Sequence, residues 1–207
     1  GAVEVTGRAE GGDGGQAQGL SDGGRGASVS LLNAVDGWTT GELTLTQVAI
    51  GGRAGGAATG HPGAPGSAGS AVSSLSKTGQ FSSLAVNGTA DGGVGGGARV
   101  LGGQATPGGA ARSVVFARND GGGVAATSSA AGASGGSAVG GSLAARGGDA
   151  ESELTAISAG DGKDVRANGR ALAGSAGSAS SGSTVGAQGG TARSSSTGTA
   201  LGNSSVL

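Results

Sequence analysis

Leu43-Thr44-Leu45-Thr46-Gln47-Val48-Ala49 runs directly into a span built on Gly51-Gly52-Arg53-Ala54-Gly55-Gly56. The first part alternates with period two. Leu43, Leu45, Gln47 and Ala49 fall on one side, with Thr44 and Thr46 between them. That pattern predicts a half-buried strand. A helix would need an i, i+3, i+4 apolar stripe; none persists, and the Gly content opposes one.

The same phrase begins at Val3, Leu84, Val124 and Val165, and Val206-Leu207 reads as the opening of a sixth copy. Its closing Ala stands at 9, 49, 90, 130 and 171, so the steps are 40, 41, 40 and 41. A fixed period predicts one supersecondary unit stacked on itself. The frame divides the chain into one array of repeats near 1–41, 42–82, 83–123, 124–164 and 165–205. In each copy two aliphatic positions lead, a small or polar one follows, and Ala closes.

A Gly-rich span follows each strand. Gly60, Gly63, Gly66 and Gly69 show a spacing of three, the period of polyproline II, in which Gly frees one face for close packing. Ordinary Gly turns are the other reading of these spans. A second alternating segment comes next, at Ala27–Leu31, Ala71–Leu75, Ser113–Phe116 and Ser152–Ile157, and as a nearly all-polar Arg193–Thr197. Turn residues close the repeat, as in Asp36-Gly37, Asn119-Asp120-Gly121, Asp161-Gly162 and Gly202-Asn203. The expected fold is all-β: an elongated β-solenoid of about five 41-residue repeats, two coils of about 20 residues each, with polyglycine-II-like extended spans. A flat sandwich of three-fold helices with β-ribbons attached is the alternative. Both ends fall inside the repeat frame, so no capping unit is expected.

Composition narrows the function classes. Of 207 residues 52 are Gly; there is no Cys, Met or Tyr, one Trp and two Phe. A core of bulky side chains is not available, so backbone hydrogen bonds and close Gly/Ala contacts must offset the entropy of ordering so much Gly. A formal net charge of -1 with scattered Arg argues against nucleic acid. No 18-residue apolar stretch predicts a membrane span.

Chemistry is sparse. The one histidine, His61, sits beside Pro62 in a Gly-rich span and reads as a spacer rather than a base or ligand. Gly132-Ala133-Ser134-Gly135-Gly136 matches G-x-S-x-G, a chance match in so Gly- and Ser-rich a chain, without a strand-to-helix context. Asp13 and Asp91 lack the recurrence of calcium-binding β-roll repeats, and Lys77 and Lys163 are not placed as in a phosphate loop. No catalytic, cofactor or metal residue is assigned, and the chain is read as a non-enzyme. The one candidate site is an outward polar ladder, Thr6, Thr46, Asn87, Thr127 and Asn168. Side-chain hydrogen bonding along the stack is the plainer account of it; ordering of water or binding of a glycan is the functional one. Trp38 stands at a turn without counterparts in other repeats. Asn87-Gly88-Thr89 and Asn203-Ser204-Ser205 are sequons, meaningful in a glycosylating host.

The stretch Ala27-Ser28-Val29-Ser30-Leu31-Leu32-Asn33-Ala34-Val35-Asp36-Gly37, with Leu43–Gln47 and the repeated Gly-Gly-x-Gly-Gly, resembles long repeat regions of bacterial secreted surface proteins. These are Gly/Ala/Ser/Thr-rich tandem-repeat proteins of adhesin-like and PEP-CTERM type. The resemblance covers essentially the whole chain and is compositional; no sorting tail occurs in it. It implies an extracellular or cell-surface location. The resulting expectation is a structural repeat protein of a surface fibre, sheath or biofilm matrix that associates with copies of itself. The alternative is an adhesin that holds a glycan or a surface, or less readily ice, along the Thr/Asn column.

Overall fold

The structure, a computed structural model, describes residues 1–60, 63–180, 182, 187–201 and 206. Among them there is no helix, and the chain winds into a parallel β-solenoid. The phrase that opens each repeat forms β1 (Val3–Glu10), β3 (Glu42–Ile50), β5 (Ser83–Asp91), β7 (Gly123–Ala131) and β10 (Val165–Leu172). They pair in that order as a first parallel sheet. The second segment forms β2 (Val29–Leu32), β4 (Ala71–Gly79), β6 (Ala111–Asn119), β9 (Ala150–Ser158) and β12 (Ala192–Ala200), a second parallel sheet. Polar as it is, Arg193–Thr197 pairs in full register with β9. Two short strands, β8 (Ala138–Val139) and β11 (Ala179–Ser180), pair in the Gly-rich part.

The register corrects one expectation. Val3 pairs with Leu43, Leu43 with Leu84, Leu84 with Val124 and Val124 with Val165. A strand therefore meets its counterpart in the next repeat, not the second segment of its own. One coil is the whole repeat, about five coils in all. The two half-units of each repeat are opposite walls of a single coil, because both sheets turn an apolar face inward and each needs the other to cover it. Val206 joins the first sheet by pairing with Val165, as the sixth phrase predicts.

The order of residues in the phrase is a cross-section of the coil. Leu43, Leu84, Val124 and Val165, then Leu45, Val86 and Ala126, are buried against Leu75, Val115 and Leu154 of the facing sheet. Next comes a buried polar row. Ser128 Oγ donates to Ser113 O at 3.0 Å, and Ser152 Oγ to Ser128 O at 2.9 Å. Beyond it Ala49, Ala90 and Ala130 meet Ala71, Ala111 and Ala150. Side chains shrink from Leu to Ser to Ala along each strand, so the two walls converge onto layers built mainly of Gly, with Ala133 and Ala145 among them.

The Gly-rich spans continue the two walls as hydrogen-bonded layers. Gly11, Gly14 and Ala17 donate N–H bonds to Ile50, Arg53 and Gly56 of the next coil at 2.8, 2.8 and 3.0 Å. Bonding at every third residue is the polyproline II period, so these spans are three-fold extended strands and not turns. Turning is confined to the far tip, where Gly19, Gly60 and Gly102 have positive φ. Between the layers a zigzag crosses all five coils. Gly12 O accepts from Ala27 N, Ala27 O from Gly52 N, Gly52 O from Gly69 N, Gly69 O from Gly93 N, and the series runs on to Gly174 O and Gly190 N. A second zigzag is interrupted once: the Thr106 hydroxyl takes the Gly96 N–H at 2.8 Å and donates to Gly66 O at 2.6 Å.

Coil 1 departs from the frame and supplies the closing element that the sequence did not suggest. At Asn33, with φ of 45°, the chain leaves the line of β2. The Asn33 side chain accepts the Ser76 N–H at 2.7 Å, in place of the next strand carbonyl. The chain then turns inward, Val35 is buried in the core beside Gly7, and Gly37 lies against Leu43. Asp36 meets the Lys77 ammonium, which also sits 5.8 Å from the Phe81 ring centre. Gln47, fully buried, holds this segment by its backbone: Oε1 accepts Ala34 N–H at 2.7 Å, and Nε2 donates to Leu31 O and Ser74 O at 3.2 and 3.1 Å. At the same end of coils 2 and 3, buried Asn119 plays the equivalent part, bonding Phe81 N, Phe81 O and Gly123 O.

Candidate functional site

The five ladder residues belong to five neighbouring strands, and the register brings them into one line. Thr6 pairs with Thr46, Thr46 with Asn87, Asn87 with Thr127 and Thr127 with Asn168. Alternation puts them on the outer face of the first sheet, at the ~4.8 Å strand spacing. One step carries a side-chain bond, Asn87 Nδ2 to Thr46 Oγ1 at 3.4 Å. So the structure supports stacking for part of the column and leaves the other members facing outward.

The columns beside it complete a flat face. Thr44, Ala85 and Ala125 run on one side; Val48, Thr89 and Ser129 run on the other. In the middle three coils the outward residues of these lines are short and uncharged; Asp91 stands in the next line, beside Ile50 and Ala131, and Glu42 at the start of β3. Charge collects at the two ends. Glu4, Arg8 and Glu10 stand on β1 and Glu42 on β3, while Arg166 and Arg170 stand on β10. Arg8 and Glu10 pair at 2.6 Å. Partial burial pushes the Asp91 carboxyl above its ordinary pKa, and the Arg8 charge opposes that shift.

On the second sheet most outward charges are matched within the chain, Arg193 being the exception. Arg112 bonds Glu151 at 2.8 Å and Glu153 at 2.9 Å, and Arg118 bonds Asp120 at 2.8 Å. Hydrogen bonding to Glu151 raises the Arg112 pKa further. Where this sheet begins, a groove of about 650 Å³ follows the axis past Val72, Ala111, Arg112, Asp149 and Thr191. The Asp149 carboxylate accepts Thr191 N–H at 2.7 Å and its hydroxyl at 2.9 Å, and pairs with Arg146 at 2.5 Å. The backbone bond from Thr191 is the main cause of its lowered pKa.

A pH prediction follows from Asp149. Its folded pKa lies below the unfolded value of about 3.9, so its contribution is fully present above that pH and is lost as pH falls through the folded value. The carboxylate is 47% exposed, so screening keeps the effect small. Asp149→Asn is expected to lose less thermal stability than the parent chain between about pH 5 and pH 2. Equal losses in the two melting series would refute this role.

Of the other residues considered from the sequence, Ser134 lies half-buried in a Gly layer with its hydroxyl 2.9 Å from that of Ser175, far from the geometry of a nucleophile elbow. Trp38 is 79% exposed in the segment that closes coil 1. His61, Pro62, Leu207 and the Asn203 sequon lie outside the described residues. Among the described residues no group of three or more His, Cys, Asp or Glu is placed to hold a metal, and no helix is long and apolar enough to cross a membrane. The alternation pattern pointed to the outer ladder. It did not point to Gln47, Asn119 or Thr106, which reach backbone groups 13, 38 and 40 residues away.

No family model matches the sequence, and no curated protein matches it. Among solved structures the chain is similar to a springtail antifreeze protein from Granisotoma rainieri, described as a bundle of nine polyproline type II helices. Identity is 18%, the alignment covers 89% of this chain and 94% of that one, and the TM-score is 0.23.

Proposed function

We propose that this chain is a structural repeat protein of the extracellular surface, a building element of a fibre, sheath or matrix that associates with copies of itself. The observation that supports this reading is the continuity of backbone bonding along the axis. Two ladders and the inter-layer zigzag pass through every coil. Tension along the axis is therefore shared among parallel rows of backbone bonds. The outer edge of β1 is also an open strand edge, and such edges template further strands. Negative-stain microscopy of the purified chain tests the proposal: filaments or sheets are expected. A monodisperse monomer that retains a carbohydrate on a glycan array would overturn it in favour of adhesion. That second reading draws on the in-register Thr6-to-Asn168 column.

A further inference from the structure

Gly12 and Gly15 are glycines that the single chain does not require. Gly55, Gly96, Gly136 and Gly177 continue the column of Gly15, and a Cβ at each would run into a carbonyl of the preceding coil. The same holds for Gly52 and Gly93 in the column of Gly12, where coil 4 carries Ala133. Gly12 and Gly15 themselves are exposed, and a Cβ there meets nothing within 4 Å. Their backbone is unfinished toward the same side. Gly52 N donates to Ala27 O and Arg53 O accepts from Gly14 N. Among the described residues the counterparts in coil 1, Gly12 N and Asp13 O, have no partner.

Coil 5 presents the complement. Gly135 N donates to Ser175 O, and Gly148 O accepts from Gly174 N. Among the described residues their counterparts Ala176 N and Gly190 O have no partner. On β10, Val206 pairs with Val165 in the place of a sixth coil, so this edge takes a strand in the frame. Side chains at both ends bond back into the stack. Asp13 and Gln16 accept Arg53 N–H and Gly56 N–H, and Ser178 Oγ donates to Ser137 Oγ.

We propose that the coil-1 end of one copy stacks on the coil-5 end of another, head to tail, as the next turn of the same solenoid. This rests on the structural reading and names its partner and contact. The Gly layers set the polarity. Two coil-1 ends would bring carbonyl against carbonyl, whereas head to tail Ala176 N meets Asp13 O and Gly12 N meets Gly190 O. Val3 of the incoming copy takes the place of Val206 and displaces it. β2 adds only Val29–Leu32, because coil 1 turns inward at Asn33. The frame also sets Glu4 beside Arg166, Thr6 beside Asn168 and, unfavourably, Arg8 beside Arg170. Such a contact does not close on itself, so copies add in a polar line.

Sedimentation of the full chain tests this. At tens of micromolar the average mass should climb with concentration and reach no plateau at a dimer. Gly12→Lys with Gly15→Lys should weaken association at least tenfold, about 1.4 kcal/mol, because the stack leaves no room for a side chain there. Ser83→Lys with Ala125→Lys, exposed on the middle coils, adds the same charge and should leave association unchanged. Arg8→Thr removes the like-charge step and should strengthen it. Circular dichroism verifies that each variant folds. Because the chain has no Cys, single cysteines report the geometry. With a short bis-maleimide, a mixture of Thr6→Cys and Asn168→Cys chains should crosslink, and neither variant alone should. A monomer at all concentrations overturns the proposal, as does equal sensitivity to the two lysine pairs, weaker association of Arg8→Thr, or a Thr6-to-Thr6 crosslink. Filaments or sheets that persist in the Gly12/Gly15 variant would sink the end contact and leave the structural reading standing. Head-to-tail crosslinks without filaments or sheets would do the reverse.

Discussion

Replacing Gly93 with Ala is expected to destabilise the chain by about 3 kcal/mol, the upper part of the range for overpacking a dense interior. A Cβ at Gly93 would stand 2.5 Å from the Gly52 carbonyl carbon and closer still to its oxygen. That obstacle is backbone, and the same two residues carry the zigzag through Gly69 N to Gly52 O and Gly93 N to Gly69 O, each 2.9 Å. A side chain cannot swing aside to make room, so the layers must part and those bonds lengthen. Gly12 is the control. It occupies the same column in coil 1, and a Cβ there meets nothing within 4 Å. Gly12→Ala should be neutral, or stabilise by up to about 1 kcal/mol through the unfolded chain. For a chain of this size 3 kcal/mol lowers the melting temperature by roughly 6–12 °C. Repeat arrays also open locally, so amide exchange at Gly52, Gly93 and Gly109 should quicken before global unfolding. Equal effects at Gly12 and Gly93 would show that the layers do not depend on contact between backbones.

The second large effect is expected at Gln47. Its fully buried amide accepts one backbone N–H and donates to two carbonyls, and Nε2 also lies 3.1 Å from Ser73 Oγ. Gln47→Leu keeps much of the volume and removes all of these bonds. Leaving buried polar groups unpaired costs about 1–3 kcal/mol each, and we expect about 3 kcal/mol in total because some of them regain water. The loss should be local first, since Gln47 ties down the segment around Val35 and Gly37. Trp38, the one Trp, lies in that segment and reports its release as a fall in fluorescence anisotropy. Unchanged anisotropy together with unchanged stability would show that the segment is held by Val35 and the Asp36–Lys77 pair alone.

The sequence by itself carried most of the architecture, because each layer of the coil has its own residue size and period. Alternation at Leu43–Ala49 dictated a strand, and five copies in step dictated stacking. The three-residue spacing of Gly63, Gly66 and Gly69 prefigured the extended layers; a Cβ at any of them would run into a backbone carbonyl of coil 1. The outward column from Thr6 to Asn168 was legible as well, since in-register pairing keeps equivalent residues on one face.

Only the tertiary structure decided how many walls one coil has. Period and alternation are the same whether a strand pairs with its own repeat or with the next one. The choice falls to burial: the inner face of β3 finds its cover in β4, while its edges find equivalent strands in β1 and β5. Long-range partners were equally hidden. Gln47 occupies a column otherwise filled by Gly7, Gly88, Ser128 and Gly169, so sequence marks it as a polar exception and no more. Its meaning comes from Asn33, where one positive φ turns the chain inward and leaves backbone groups to be satisfied. The order of side-chain sizes along the phrase was visible in the sequence from the start. That this order is a taper, from Leu-filled core to touching Gly layers, follows only when the two walls are seen to face each other.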